Sequence, residues 1–583
     1  MELLVARNLD IERNGHTLVR SLDLTLRTGS RLGLVGPNGS GKSSLLRVLA
    51  GLKPPAGGRL RRAPGARIGY LEQTPSWDGR QNAWTTALAC LERTTQLERE
   101  LRDEERLLAE GTGSMERYGE LHEAFESSGG YAAEPELRES LADLGLTEER
   151  LILPLARLSG GELARLALVR TLAANPDVLL LDEPSNHLDL PALKWLGERL
   201  RRHRGALVLV SHDRELLDEA CTETGELRGG ELAITRGGIS RLREQQGARR
   251  RGDERRQRER RKEIERLERT AAELRAWGTA KAQRRRKRLE RERERLPALS
   301  AAESQPPALS LEAREATGVL LEARGLSKKL GNHTVIDRAD LLLRAGDKVA
   351  LLGPNGSGKS TLLSILAGET PSDDPRSEYW WHRDAKLLYA DQDERGLASG
   401  TPVLDQLTDL VSRERAHMLL ALCGLDEEKR LAPPDSLSGG ERARAGVARL
   451  LAAQANLLLL DEPTNDLDLS AIETLQHALE TTEAAVVVAT HDRALARLAE
   501  RVWAIEDGVL VEFRGGLEGY LAGRRRLEPG LGAAASAGAG SRPGGGAVPG
   551  GGMQVGAVAG GVMSNASVPS ETESGGGVAG AAV

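Results

Sequence analysis

The sequence predicts an α/β protein in which one fold occurs twice: two phosphate-loop nucleotide-binding domains, a basic helical hairpin joining them, and a disordered tail. Three observations lead there. Four motifs in the first half of the 583 residues return in the same order in the second half. In each half an apolar strand runs into G-x-x-x-x-G-K-S and then into a helical pattern. A strongly basic segment separates the two copies in a chain whose net charge is -5.

The first copy spans 1–240 and the second 317–525. GPNGSGKSS, from Gly36, returns as GPNGSGKST, from Gly353. Each follows a strand, RLGLV or KVALL, and precedes a helix, SLLRVLAG or TLLSILAG. Gly36, Pro37, Asn38, Gly39, Ser40, Gly41, Lys42, Ser43 and Ser44 are the first candidate phosphate cradle. Gly353, Pro354, Asn355, Gly356, Ser357, Gly358, Lys359, Ser360 and Thr361 are the second. The glycines let backbone N–H groups wrap a phosphate at a helix N-terminus. Lys42 and Lys359 are expected on the outer phosphates, and the hydroxyls of Ser43 and Ser360 on magnesium.

VLLLDE and LLLLDE then carry Asp182 and Asp461 to the ends of apolar strands, where each can anchor the magnesium ion. The next residues, Glu183 and Glu462, are candidate bases for an attacking water. His212 and His491 follow the strands ALVLV and AVVVA and can reach the terminal phosphate; a single histidine in such a place is more often a capping or packing residue. RLSGGE and SLSGGE place Ser159, Gly160, Gly161, Glu162 and Ser438, Gly439, Gly440, Glu441 at a second helix start in each half. Such a start is an ordinary cap or a second anion site.

Between the YLEQ and LSGG motifs of the first copy lie about 85 residues, against about 45 in the second. The excess of about 40 residues falls within about 85–150, where leucines at helical spacing among charges predict a protruding helical hairpin. From Arg241 to Leu296 there are 23 Lys plus Arg against 11 Asp plus Glu. Within the 241–316 linker, Ile264, Leu267, Ala271, Leu274 and Trp277 form one helical stripe that turns near Gly278. A helix of about 27 residues reaches about 40 Å, and the run Arg284 to Arg288 suits RNA phosphate. A solvated hairpin with internally paired charges is the plainer alternative. The tail, 526–583, has too few large apolar residues to order itself.

Cys90, Cys221 and Cys423 are far apart and form no C-x-x-C pair, which suits a reducing, cytoplasmic setting without structural disulfides. No secretory signal pattern opens the chain, and its apolar runs are strand-sized.

GPNGSGKS, LSGGE, LLLDEP and SHD or THD together resemble ATP-binding cassette (ABC) ATPase domains. The twin cassettes, the charged linker and the repeats PSNHLDL and PTNDLDL are similar to the ABC-F proteins, over about Leu3 to Leu521. That resemblance implies ATP hydrolysis and a monomer that closes on itself, with the LSGGE of each cassette covering nucleotide on the phosphate loop of the other. Lys42 would then face Ser438, and Lys359 would face Ser159. It adds Gln73 and Gln392 as magnesium-side residues. It implies binding to the ribosome, with the linker near rRNA and tRNA, and a role in translation or in ribosome protection against an antibiotic. A cytoplasmic ATPase subunit of a drug exporter with a separate permease is the alternative; a DNA-maintenance ATPase is a third. Arg13 and Leu330 stand where such domains usually present an aromatic ring to adenine, which leaves ATP against GTP open.

Overall fold

The computed structural model describes residues 1–13, 15–72, 77, 79–186, 188–243, 318–331, 333–391 and 397–527. The linker hairpin, Arg284 to Arg288, the tail from 528, and Gln73 and Gln392 lie outside the described residues. Met1–Leu527 forms one compact unit.

The first cassette contains β1 (Glu2–Arg13), β2 (His16–Arg27), β3 (Arg31–Val35), β4 (Gly57–Arg62), β5 (Ile68–Leu71), β6 (Val178–Asp182), β7 (Ala206–Val210), β8 (Glu223–Arg228) and β9 (Glu231–Arg236). They make a small antiparallel sheet, β2-β1-β4, and a six-stranded sheet, β5-β6-β7-β3-β8-β9. The second cassette repeats this with β10 (Val319–Leu330), β11 (His333–Arg344), β12 (Lys348–Leu352), β13 (Glu378–Trp381), β14 (Leu387–Ala390), β15 (Leu457–Asp461), β16 (Ala485–Ala489), β17 (Arg501–Glu506) and β18 (Val509–Arg514). Its sheets run β11-β10-β13 and β14-β15-β16-β12-β17-β18.

The large sheets explain the uninterrupted apolar runs. β5, β6, β7, β3 and β8 pair in parallel, as do β14, β15, β16, β12 and β17. Parallel strands are covered on both faces, so VLLLD and ALVLV must be apolar at every position but the end, and every residue of β6 and β7 is buried. One face meets the helix Lys42–Leu49 and the small sheet, through Leu45, Leu46 and Leu49. The other meets the helix Gly160–Ala173 and the inserted helices, through Leu137, Leu141 and Leu166. Within β6 and β15 the one charged residue is the last, Asp182 or Asp461.

The insertion contains the expected hairpin, Glu92–Ala109 against Met115–Ser127. Its turn is fastened by Glu104, which is buried and accepts the Ser114 N–H at 2.7 Å. Ser114 in turn caps the second helix through the Arg117 N–H. No helix among the described residues is long and apolar enough to cross a membrane.

Candidate functional site

Both phosphate loops open into one cleft of about 940 Å³ between the cassettes. Lys42, Ser43 and Ser44 line it together with Ser438, Gly439 and Gly440 of the other cassette; Lys359, Ser360 and Thr361 line it together with Ser159 and Gly161. One contact across the cleft is direct: Gly440 of the second LSGGE segment lies against Asn38 of the first phosphate loop.

The two loops are built alike. β3 and β12 deliver the chain to a glycine in the left-handed region, Gly41 at φ 104° and Gly358 at φ 102°, which starts each helix. Lys42 Nζ folds back to donate to the carbonyls of Gly36 at 2.8 Å and Pro37 at 3.0 Å. Lys359 Nζ does the same to Gly353 and Pro354, at 3.0 Å each. Burial pulls both ammonium groups below their usual pKa, opposed by Glu183 at one and Glu462 at the other. A phosphate entering the loop would restore the compensation that burial removes.

At the ends of β6 and β15, both oxygens of Asp182 and Oδ1 of Asp461 are buried without a well-formed hydrogen bond. Burial pushes the Asp182 pKa up to about 6 and raises that of Asp461. Orphaned carboxylate oxygens beside Ser43 and Ser360 fit a cation, which would favour their charged form. Among the described residues no group of three His, Cys, Asp or Glu could hold a metal ion. The ion would have to share its shell with Ser43 or Ser360 and with phosphate oxygens.

Glu183 and Glu462 have left-handed backbones, φ 50° and 45°, a conformation that is strained for a side chain of this size. Hydrogen bonds hold it: Glu183 N–H to Val210 O and Glu462 N–H to Ala489 O, each 2.9 Å. The carboxylates thereby reach the histidines. The backbone N–H of His212 donates to Glu183 Oε2 at 3.2 Å and that of His491 to Glu462 Oε2 at 3.3 Å. The ring Nε2 of His212 is 3.0 Å from Glu183 Oε1; that of His491 is 3.5 Å from Glu462 Oε1 and 2.9 Å from Asn355 Oδ1. Burial raises Glu183, but His212 and Lys42 together outweigh it and hold the acid below its ordinary value. Burial carries Glu462 up to about 7 and His491 down to about 3.

The LSGGE segments are capping boxes. Ser159 Oγ accepts the Glu162 N–H at 3.3 Å while Glu162 Oε2 accepts the Ser159 N–H at 2.8 Å; Ser438 and Glu441 repeat this at 3.4 and 2.9 Å. The plain cap and the second cleft wall are thus the same feature. Gly440 has a further reason to lack a side chain, since a Cβ there would lie 2.7 Å from Asn38 Nδ2 of the opposite phosphate loop.

Contacts between the cassettes carry no signal that a single cassette could show. Asn38 Nδ2 donates to Asp466 O at 2.9 Å, and its N–H lies 3.4 Å from Asp468 Oδ2, 430 residues away. Arg444 fixes that Asp468 oxygen at 3.0 Å. Leu190 packs in a core cluster of the second cassette and Leu469 in one of the first. The repeated LDL was their only trace in the sequence. Beside the histidines, Arg214 reaches Glu473 at 3.4 Å, and Arg493 reaches Glu215 at 3.1 Å and Glu219 at 3.5 Å. Both link one cassette to the other. Arg493→Ala and Glu215→Ala are each expected to slow nucleotide turnover roughly severalfold, and the double variant to be little worse than either. Phosphate-release rates for the four proteins of this cycle test the coupling, and additive losses would disprove it. Arg13 and Leu330, at matching ends of β1 and β10, both line the cleft.

The ABC transporter family description matches residues 19–186 and 336–465. The chain is 34% identical over 512 residues to the tylosin resistance ATP-binding protein TlrC of Streptomyces fradiae, covering 82% of this chain and 92% of TlrC. It is 30% identical to the energy-dependent translational throttle protein EttA of Escherichia coli K12, covering 85% and 90%. Among solved structures it resembles the archaeal ribosome recycling factor aABCE1 in complex with stalk protein aP1, with TM-score 0.58 and 20% identity over 89% of this chain and 92% of that one. That likeness is one of fold. With two cassette matches and relatives aligned along most of its length, the chain belongs to the ABC transporter family of ATP-binding cassettes, and within it to the twin-cassette ABC-F group.

Proposed function

We propose that this chain is a ribosome-binding ATPase: ATP closes the cassettes in the form that binds the ribosome, and hydrolysis releases it. The observation that carries the reading is the shared cleft, lined by both phosphate loops and both LSGGE helix starts. Those helix starts gain a phosphate partner only when the halves meet around nucleotide, so ATP favours the closed state by differential contact. The names of TlrC and EttA, a resistance protein and a translational throttle, support the ribosome as the target.

In this reading Lys42 and Lys359 leave their own loop carbonyls for the outer phosphates. Ser43 with Asp182, and Ser360 with Asp461, would hold Mg2+, joined by Gln73 and Gln392. The ion, when bound, neutralises charge on the transferred phosphoryl group. Glu183 and Glu462 accept a proton from water as its oxygen attacks the terminal phosphorus and ADP departs. His212 and His491 orient those carboxylates. The 241–316 linker, with Arg284 to Arg288, reaches rRNA and tRNA. Between the two cellular outputs, we place protection of the ribosome against an antibiotic ahead of a general translation role.

The test is co-sedimentation of the Glu183→Gln, Glu462→Gln chain with purified ribosomes. With ATP most of the protein is expected in the ribosomal pellet; without nucleotide, little. A protein that stays in the supernatant under both conditions defeats the reading, and recovery with a membrane permease in equal amount would replace it with the exporter alternative. Drug susceptibility of a strain gaining the gene separates protection from a translation role.

A further inference from the structure

The outer face of the small sheet in the first cassette carries three arginines with no ion-pair partner among the described residues. Arg7 on β1 is the direct cross-strand partner of Arg59 on β4, and Val5 is the partner of Arg61. Strand alternation therefore puts Arg7, Arg59 and Arg61 on one face, while Ala6 and Leu60 turn to the core. All three arginines are exposed, and among the described residues none makes an ion pair or a side-chain hydrogen bond. The nearby Asp10 and Asp23 spend an oxygen each on the backbone N–H groups of Ser21 and Asn8. Like charges directly opposite one another destabilise a sheet, so the arrangement is costly unless an anion covers it.

The second cassette provides an internal control. Its matching register pairs Arg324 with Glu378 and Glu322 with Trp380. There Arg324 is answered within the sheet by Glu322, at 2.6 Å. The fold thus does not require an unpaired cationic strip at this place. Protection of an edge strand accounts at most for Arg59 and Arg61, which lie on the edge strand β4; Arg7 is on the central strand, and the edge strand β13 manages with exposed Tyr379 and Trp380.

We propose that Arg7, Arg59 and Arg61 form an RNA-binding surface, separate from the cleft and the linker, that takes the phosphate backbone of structured ribosomal RNA. The inference rests on the ribosome-binding reading for its choice of polyanion. Guanidinium forks on a rigid sheet suit phosphate oxygens, and the pattern carries no base-reading pocket, so the contact positions the cassette without selecting a sequence.

The experiment measures Kd of the ATP-loaded Glu183→Gln, Glu462→Gln chain for purified ribosomes across a salt series. Adding Arg7→Gln, Arg59→Gln and Arg61→Gln is expected to weaken binding about tenfold at moderate salt. It should also reduce the slope of log Kd against log salt by about 2, since each lost phosphate contact removes about 0.7 to 0.9. The triple lysine variant should keep the slope, and Arg324→Gln should change nothing. Basal ATP turnover of the triple glutamine variant, in the otherwise unmodified chain, reports its folding; should it misfold, Arg61→Gln alone must lower the slope by about 0.8. An unchanged slope in a folded variant overturns the proposal, as does a loss confined to binding of anionic vesicles or of an acidic protein. If the parent chain binds no ribosomes, the functional reading falls by itself. The strip is then judged on a naked RNA duplex, where the same loss of slope supports it and an equal slope rejects it.

Discussion

Exchanging Glu183 and Glu462 together for glutamine is expected to lower ATP turnover by about 10²-fold or more, the usual worth of a positioned general base, while nucleotide binding persists. Glutamine keeps the shape and an acceptor oxygen for the backbone N–H of His212 or His491, so the strained left-handed turn at φ 50° and 45° has the same hydrogen bonds to hold it. What is lost is the carboxylate proposed to take the proton from water. Contacts that stabilise the triphosphate form are untouched, so the closed state should accumulate. Phosphate release in single-turnover conditions, together with small-angle scattering with and without ATP, reads both effects. A double variant that still turns over at the parental rate removes Glu183 and Glu462 from the chemistry. A single exchange leaves the other site its own base, and a partial loss is expected there.

The parts of the site that were legible in the sequence are those built by short-range chemistry. A phosphate loop needs its glycines, lysine and hydroxyl within nine residues, and a carboxylate at a strand end needs only an apolar run before it. The capping boxes at Ser159 and Ser438 are equally local, and so is the hairpin of the insertion, whose turn chemistry lies between Glu104 and Arg117. The contacts between cassettes were not legible. Asn38 meets Asp468, and Arg493 meets Glu215, across hundreds of residues, and no periodicity encodes such pairs. The arginine strip escaped for a related reason: Arg7 and Arg59 become neighbours only through strand pairing, and in one dimension they are ordinary surface charges. Gln73, Gln392 and the linker, whose places were inferred from the family resemblance and the charge pattern, lie outside the described residues.

Leu190→Ala with Leu469→Ala is expected to be nearly as damaging to turnover, through a different cause. Asp189 and Asp468 each cap a helix, accepting the N–H of Ala192 or Ala471 at 3.0 Å. The cap fixes the next residue as the first of that helix and aims its side chain outward. Leu190 thereby packs among Ala350, Leu352, Ala496 and Val502 of the second cassette, and Leu469 joins the core cluster of the first. Truncating a buried leucine costs about 2 to 5 kcal/mol. Here that cost falls on the union of the cassettes, because each leucine is buried by its neighbour and not by its own core. At about 2 kcal/mol apiece, and 1.4 kcal/mol per tenfold, the closed population drops by roughly 30-fold for one change and up to about 10³-fold for both. Turnover at limiting ATP should fall in step, and the ATP concentration that compacts the chain should rise, with helix content by circular dichroism held near the parental value. Unaltered turnover and compaction in the double variant would show that the reciprocal leucines do not hold the cassettes together, and the closing mechanism would then have to rest on the polar contacts of Asn38, Arg214 and Arg493 alone.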